Sequence, residues 1–372
     1  MEILECKNLT DTIMNDNLNI DKNCMFRKKG QTVIISGPCS AETEEQVITT
    51  ARQLTETGAS VFRAGVWKPR TRPDSFEGMG SVALPWLQRV KEETGMMTAT
   101  EVANIWHIKE ALRYKVDILW IGARTTSNPF AVQEIADALR SLDIPVFVKN
   151  PINPDIELWV GALERLNKAG INKLVAVHRG FSYYGESPYR NLPQWEIPIE
   201  LKRRFPELPI ITDPSHISGN RDLLFSISQT AMDLDFDGLF IESHCNPEAA
   251  LSDKDQQITP AQLGVLLGGL IHRNPDTNSV KHIAGLEGLR RQIDQWDNEL
   301  LRILRNRMAI SEQIGQYKKR ENITILQTSR WSEILEDRLS KANKLGLSDQ
   351  FVTHLFKQIH QESINFQNKV MN

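Results

Sequence analysis

The sequence predicts an α/β fold in two parts, an eight-stranded parallel (β/α)8 barrel followed by a small all-helical domain. Its 372 residues exceed the roughly 100 to 200 residues of one ordinary domain. Between residues 31 and 272, eight short β-rich apolar runs alternate with helix-length stretches, which is typical of parallel βα units. After residue 285 the apolar residues recur at spacings of three and four, which indicates long helices.

The eight apolar runs are the predicted strands of the barrel. Helical patterns such as EEQVITTARQLTETG (44–58) separate them. Eight successive strand–helix units favour a closed TIM barrel over an open sheet, so we assign residues 1–272 to the barrel. The predicted strands are TVIIS (32–36), SVFRAG (60–65), MMTAT (96–100), DILWIG (117–122), PVFVKN (145–150), KLVAVHRG (173–180), PIITDPSH (209–216) and DGLFIES (237–243).

A polar segment that contains Pro275 predicts a linker over residues 273–284, before a helical domain over 285–372. Two further helices are predicted at about Thr328–Leu345 and Asp349–Val370. A helix with so long an apolar seam is not stable alone, so we expect a three-helix bundle that a second copy completes as a homodimer. The seam of the first helix consists of Leu286, Leu289, Ile293, Trp296, Leu300, Ile303, Arg307, Ile310, Ile314 and Tyr317. The third helix has one stripe of Val352, Phe356, Ile359, Ser363, Gln367 and Val370.

Composition excludes several classes of protein. Hydrophobic residues at 40% and charged residues at 24% are ordinary globular values. Lys and Arg number 28 against 35 Asp and Glu over residues 1–272, and 14 against 11 over 285–372, so no marked basic patch predicts nucleic-acid binding. The start lacks a signal-peptide pattern and no apolar run is long enough to span a membrane, so we expect a cytoplasmic protein. The four cysteines, Cys6, Cys24, Cys39 and Cys245, are too few and scattered for a disulfide scaffold.

The ends of the predicted strands hold a set of metal-binding residue types. Cys39 follows strand 1, His216 follows strand 7, Glu242 ends strand 8 and Asp253 lies in the next loop. Active sites of (β/α)8 barrels form where the strands end, so these four groups converge on one rim. A thiolate, an imidazole and two carboxylates suit a divalent ion such as Mn²⁺, and no organic cofactor is implied. Taken singly, Cys39 could be a packing residue and Asp253 a solvated loop charge.

Cationic side chains gather at the same strand ends. Since they end apolar strands, binding of phosphate and carboxylate is favoured over a merely solvated role. Their number suggests more than one phosphorylated substrate. The cations are Arg63, Lys68, Arg70, Arg124, Lys149 and Arg179.

In chain order, the motifs GPCS, FRAGVWKPRT, GAR, VKN, HRG, DPSH, IES and LSDKDQ resemble the short microbial subtype of 3-deoxy-D-arabino-heptulosonate 7-phosphate (DAHP) synthases. The resemblance implies condensation of phosphoenolpyruvate with erythrose 4-phosphate. It implies that Lys68 donates a proton and that Arg70 with Thr71 holds the sugar phosphate, although Arg72 stands where the family often has serine. The implied metal ligands are Cys39, His216, Glu242 and Asp253, and the implied phosphoenolpyruvate site contains Arg63, Lys68, Arg124, Lys149 and Arg179.

The first long helix carries a cation inside its apolar seam. Arg307 lies between Ile303 and Ile310, and a buried unpaired cation is costly, so an anion is expected to meet it. Lys318, 11 residues on, lies only about 20° off the same face. Ser363 and Gln367, at spacing i, i+4, lie next to each other in the apolar stripe of the third helix. The alternative is a polar layer that fixes the register of the bundle.

The segments 289–318 and SINFQ (363–367) resemble the all-helical chorismate mutases, which implies rearrangement of chorismate to prephenate. The resemblance implies that Arg290 and Arg307 grip the two carboxylates and that Lys318 and Gln367 face the ether oxygen. Some relatives carry two acids near the start of the second helix, where this chain has Gln327 and Trp331. The implied binding residues are Arg290, Arg307, Lys318, Arg330, Ser363 and Gln367.

Three functional hypotheses follow. The first is a bifunctional enzyme in which a product of the helical domain inhibits the barrel, because about 30 residues before strand 1 are too few for a separate regulatory domain. In the second, the helical domain is a catalytically inactive module for dimerisation and ligand sensing, against which the joint presence of Arg307, Lys318 and Gln367 argues. In the third, the barrel is a related sugar-acid phosphate synthase that uses another aldose. Loss of the metal-binding cysteine is common in that group, so Cys39 argues against it.

Overall fold

The computed structural model describes residues 18–21, 25–26, 32–68, 75–273, 280–326 and 328–371, without the side chains of 280–285 and 328–330. The chain divides into two compact units, Met1–Pro275 and Asp276–Asn372. Within the described helices, none combines the length and the apolar character that a membrane crossing requires.

The first unit is a closed barrel of eight parallel strands that pair in chain order, β1 through β8, with β8 returning to β1. This confirms the predicted fold class. The strands are β1 (Val33–Gly37), β2 (Val61–Arg63), β3 (Met97–Val102), β4 (Ile118–Ile121), β5 (Val146–Lys149), β6 (Leu174–His178), β7 (Ile210–Thr212) and β8 (Gly238–Glu242). Seven of the strands begin and end within two residues of their predicted runs, and β7 ends at Thr212, four residues before the end of its run 209–216.

The strands form here because both of their faces are buried, which explains why the sequence shows continuous apolar runs rather than alternation. One set of side chains fills the barrel interior, including Ile35, Trp120, Phe147 and Phe240. The other set packs against the surrounding helices, as Leu119 and Val148 do. The interior is therefore a packed core, and chemistry is confined to the rim.

Ten helices belong to the barrel unit as far as it is described, and several begin at a side-chain cap. Asn128 and Asp155 accept hydrogen bonds from backbone N–H groups at the starts of the helices Pro129–Leu139 and Ile156–Lys168. The helices are α1 (Glu44–Leu54), α2 (Leu84–Thr94), α3 (Ile105–Arg113), α4 (Ala123–Thr126), α5 (Pro129–Leu139), α6 (Ile156–Lys168), α7 (Glu196–Arg204), α8 (Pro214–Ser218), α9 (Leu224–Asp233) and α10 (Pro260–Gly269). Single 3-10 turns lie at Gly80–Ala83, Pro247–Ala249 and Lys254–Gln256.

The second unit contains three helices, α11 (Val280–Arg320), α12 (Thr328–Lys344) and α13 (Asp349–Met371). The helix α11 begins at Val280, inside the segment 273–284 that the sequence predicts as a linker, so residues 280–284 of that segment are helical. The reason is visible in the sequence, since Val280 and Ile283 precede Leu286 at the same spacing of three and extend the helical pattern. Residues 274–279 of the linker lie outside the described residues.

The helical unit buries little apolar surface by itself. Among its described side chains, the buried hydrophobic ones are Met308, Ala342 and Val352. Most of the α11 seam is exposed in the single chain, from Leu286 to Tyr317. Helices α11 and α13 approach closely at Gly315, where an added Cβ would lie 2.5 Å from Val370 Cγ2 and 2.9 Å from Gln367 Cα.

Candidate active sites

The end of β1 places Cys39 at the rim of the barrel. Gly37 has φ +150°, and an added Cβ would lie 2.1 Å from the carbonyl oxygen of Arg63, so only glycine fits this turn. The backbone N–H of Cys39 then donates to Gln257 Oε1 at 2.9 Å. Backbone sterics and one buried hydrogen bond therefore fix the position of the thiol.

Cys39, Glu242 and Asp253 form one compact group of metal-binding atoms, all within 4.8 Å of one another. Cys39 Sγ lies 3.1 Å from Asp253 Oδ2. His216 is adjacent rather than part of this group, with its Nε2 3.8 Å from Glu242 Oε1. The structure thus brings three of the four predicted ligands together and places the fourth beside one of them.

The protonation of this group follows from burial and from the neighbouring charges. Burial, with the Glu242 carboxylate as a second cause, raises the pKa of the Cys39 thiol to about 12. Burial alone would raise the pKa of Asp253, but the charges of Arg190 and His216 hold it well below its usual range. Sulfur, carboxylate oxygen and imidazole nitrogen are a mixed donor set that fits a first-row divalent ion.

Three of the predicted substrate-binding cations surround the metal-binding group. Arg63 Nη1 lies 2.7 Å from Glu242 Oε1, and its guanidinium lies over the ring of Trp120 at 4.8 Å. Lys68 Nζ lies 2.9 Å from Cys39 Sγ. Lys149 Nζ lies 2.7 Å from a carboxylate oxygen of Asp213, which also lies 2.8 Å from His216 Nδ1. These contacts hold the cations in place without an anionic ligand.

A second cationic group contains Arg124, Arg179 and Arg190. Arg179 Nη1 donates to Asn191 Oδ1 at 2.6 Å. The pKa of Arg179 is lowered to about 10, chiefly by burial and also by the charges of Arg190 and Arg124, whereas Asp213 opposes the shift. Mutually repelling guanidinium groups favour an anionic ligand between them.

Sequence reasoning missed two residues of this rim. Arg190 Nη1 bridges Asp253 Oδ1 at 2.9 Å and Gln256 Oε1 at 2.8 Å. It lies in the β6–α7 connection, outside every motif, so no sequence signal marked it. Asp213, which contacts both Lys149 and His216, belongs to the DPSH motif. Its place directly before the helix α8 is a sequence signal by which it could have been identified. Its side chain accepts the His216 N–H at 3.1 Å.

The predicted sugar-phosphate residues Arg70 and Thr71 lie outside the described residues, as does Arg72. The chain just before them is well anchored. The backbone N–H of Lys68 donates to the Glu77 carbonyl at 2.8 Å. The adjacent Trp67 ring stacks on His107 of α3, with ring centroids 4.0 Å apart.

The helical site brings four predicted residues together between α11 and α13. Arg307 Nη1 donates to the Ser363 hydroxyl and to the Ile359 carbonyl at 3.5 Å. Lys318 Nζ donates to the Ile325 carbonyl at 2.6 Å. Gln367 is buried, and its Oε1 has no hydrogen-bond partner within the described part of the chain. Burial lowers the pKa of both Arg307 and Lys318.

One predicted residue of the helical site, Arg290, is not brought into it by the single chain. Arg290 is exposed on α11, 17 residues before Arg307 in the same continuous helix. At about 1.5 Å per residue the two are roughly 25 Å apart along the axis. The side chain of Arg330, near the start of α12, lies outside the described set.

A closed barrel with a thiol, carboxylates and cations at the carboxyl ends of its strands defines a class of enzyme that acts on small anionic substrates. The model of the DAHP synthetase I family matches residues 17–270, and the model of chorismate mutase type II matches 289–368. The chain belongs to the DAHP synthetase I family, and a chorismate mutase domain follows the barrel in the sequence. Both predicted resemblances are confirmed, and with them the two enzyme domains of the shikimate pathway.

Known proteins resemble the barrel part. Phospho-2-dehydro-3-deoxyheptonate aldolase of Thermotoga maritima is 34% identical over 229 residues, which are 62% of this chain and 66% of that protein. The 2-dehydro-3-deoxyphosphooctonate aldolase of Desulfotalea psychrophila is 29% identical over 64% of this chain and 88% of its own length. The crystal structure of the Thermotoga maritima DAHP synthase superposes with a TM-score of 0.59 at 32% identity, covering 64% of this chain and 68% of that one.

Proposed function

We propose that the barrel condenses phosphoenolpyruvate with erythrose 4-phosphate in a metal-dependent reaction, and that the helical domain of a homodimer rearranges chorismate to prephenate. The observation that carries the proposal is the meeting of Cys39, Glu242 and Asp253 with the cations Arg63 and Lys68 at the barrel rim. An anionic substrate pair and a divalent ion account for both sets of charges.

In the barrel, the cationic groups orient the substrates. Arg124, Arg179 and Lys149 bind the phosphate and carboxylate of phosphoenolpyruvate, and Arg70 with Thr71 binds the sugar phosphate. A divalent ion held by Cys39, His216, Glu242 and Asp253 would supply a Lewis acid for the aldehyde oxygen.

The enol carbon of phosphoenolpyruvate forms a bond with the aldehyde carbon, and Lys68 donates its proton to the new alkoxide. Water adds to the resulting cationic carbon and releases a proton, and the hemiketal so formed breaks its C–O bond to phosphate, so that a keto group forms, the hydroxyl proton is lost and inorganic phosphate leaves. Burial alone would lower the pKa of Lys68, but the neighbouring Cys39 and Glu242 raise it above its ordinary value. Nζ therefore carries a proton that it can donate when the alkoxide forms.

In the helical domain, the reaction needs a clamp rather than a nucleophile. Arg307 grips one carboxylate of chorismate from the position where it now contacts Ser363. Lys318 and Gln367 donate to the ether oxygen, whose negative charge grows as the C–O bond breaks. Holding the reactive conformer supplies the remaining acceleration.

A homodimer supports this site in two ways. The exposed seam of α11 offers a long apolar surface, and a second copy presents the same surface, as twofold symmetry requires. An antiparallel partner helix would also bring Arg290 of the second chain to Arg307 of the first, across a distance that one chain cannot bridge. We therefore propose that each mutase site draws residues from two chains.

Purified protein is expected to turn over both substrate sets, with the two activities separable by mutation. Arg307→Ala should lower mutase kcat/KM by about 100-fold or more and leave the synthase unchanged, since a charged donor in a water-poor site is lost. Lys68→Met should lower synthase kcat by about 100-fold or more and leave the mutase unchanged. Steady-state kinetics of both reactions on each variant check this.

The alternative of an inactive, ligand-sensing helical domain makes a different forecast for the same assay. It requires synthase activity with no mutase activity in the wild-type protein. The unpartnered Oε1 of the buried Gln367, counted within the described residues, favours an active site, because a register-fixing layer would pair its buried polar atoms.

Prephenate is expected to inhibit the synthase activity of the full chain. Binding at the helical site would bias the barrel, with a coupling of about 5- to 150-fold in affinity. Deleting 273–372 should remove the inhibition, and so should Arg307→Ala in the intact chain, because it weakens prephenate binding. The measurement is the synthase rate as a function of prephenate concentration for the full chain, the truncated chain and Arg307→Ala. A truncated barrel that stays fully active and is equally inhibited contradicts the proposal.

A further inference from the structure

A stacked pair of aromatic side chains lies beside the mutase site. The rings of Trp331 on α12 and His360 on α13 have centroids 4.1 Å apart and planes at 18°. The imidazole of His360 therefore lies flat against the indole of Trp331.

His360 belongs to the face of α13 that forms the site. It precedes Ser363 by three residues and Gln367 by seven, and seven residues at about 100° each return to within about 20° of the same direction. Its Nε2 is buried and has no hydrogen-bond partner among the described residues. A buried polar nitrogen without a partner is rare and costly, which points to a ligand group that meets it.

The charges around His360 decide which kind of group it can meet. Burial lowers the pKa of the imidazole, and the cations Arg307 and Lys318 on α11 lower it further. Arg307 also lies at Ser363, three residues from His360 along α13. A neutral imidazole next to two cations does not compete with them for a carboxylate, but it can exchange a hydrogen bond with a neutral hydroxyl.

We propose that His360 Nε2 binds the ring hydroxyl of chorismate and that Trp331 positions the imidazole for this contact. The inference rests on the proposed mutase function. Chorismate carries two carboxylates, an ether oxygen and one ring hydroxyl. Arginines take the carboxylates, and Lys318 with Gln367 faces the ether oxygen, so the hydroxyl is the polar group left for His360.

The test compares two variants of His360 on two substrates. His360→Phe keeps a ring for stacking on Trp331 and removes the nitrogen, whereas His360→Gln keeps an amide nitrogen at similar reach. On chorismate, His360→Phe should lose about 10- to 100-fold in kcat/KM and His360→Gln less, because the site is built to bond a hydroxyl. On an analogue of chorismate without the ring hydroxyl, wild type and His360→Phe should agree within about twofold.

The role of Trp331 is tested by Trp331→Phe and Trp331→Leu. Loss of stacking in Trp331→Leu should raise KM for chorismate more than for the analogue, and Trp331→Phe should restore most of the difference. The matched control is His354→Phe, which changes an exposed histidine on the same helix and should leave both substrates unaffected.

Two results overturn the proposal. One is unchanged kinetics of His360→Phe on chorismate, and the other is an equal loss on both substrates, which is the mark of a packing role. Absence of mutase activity in the wild-type protein is a separate result, which overturns the proposed mutase function and this inference with it.

Discussion

Co-refolding Arg290→Ala chains with Gln367→Ala chains is expected to restore about a quarter of wild-type mutase activity, although each variant alone is nearly inactive. Arg290 and Arg307 lie on one helix, roughly 25 Å apart, so one small dianion cannot contact both within a single chain. If Arg290 acts in the partner's site, a mixed dimer has one intact site of two. Random pairing makes half of the dimers mixed, which gives a quarter of the activity.

The matched control mixes Arg307→Ala chains with Gln367→Ala chains. Arg307 and Gln367 lie in the same chain's site, on helices α11 and α13 that pack closely at Gly315. Each site of that mixed dimer lacks one residue, so no activity should return. Recovery by neither mixture, despite demonstrated exchange of chains, would show that Arg290 works in its own chain or not at all.

Replacing Cys39 with alanine is expected to remove most of the bound divalent metal and to lower synthase activity by about 100-fold or more. The thiol lies 3.1 Å from Asp253 Oδ2 in a buried pocket, so its loss removes one donor atom from the metal-binding group. Metal content per chain and synthase kcat are the measurements. Chelation should abolish the wild-type activity, and added manganese should restore it, while the mutase stays unaffected.

Cys245→Ala is the matched control for the metal prediction. Cys245 is the other cysteine within the described residues, half-buried in the loop after β8, and its loss should leave both activities unchanged. His216→Ala tests whether the histidine beside Glu242 belongs to the metal site, in which case metal content should fall as it does for Cys39→Ala. Undiminished synthase activity in both Cys39→Ala and His216→Ala would remove the metal assignment.

Most of the barrel was predictable from the sequence because its strands are short, apolar and buried on both faces. The run 237–243 predicted a strand that the structure places at Gly238–Glu242, and the other strands except β7 agree similarly. Because active sites of such barrels form where the strands end, the same pattern predicted that Cys39, Glu242 and Asp253 lie at one rim. Local pattern and closed topology point to the same answer here, which is why the prediction succeeded.

The errors and omissions have separate physical causes. The helical conformation of residues 280–284 was not predicted, because the polar composition around Pro275 drew attention away from the helical spacing that Val280 and Ile283 continue. Arg190 was missed because it reaches Asp253 from a loop without a motif. His360 was missed because it sits one residue beside the apolar stripe, and only the packing of α12 against α13 shows what its ring contacts.

The sequence by itself determined the two folds, the families and the residue types at each strand end, because these depend on local periodicity and on order along the chain. Only the tertiary structure decided which charges meet. It joined Lys149 to Asp213, set Lys68 beside the Cys39 thiol and separated Arg290 from Arg307. Pairing energies and pKa values depend on distances of a few ångströms between residues far apart in the chain, and spacing along a sequence does not contain those distances.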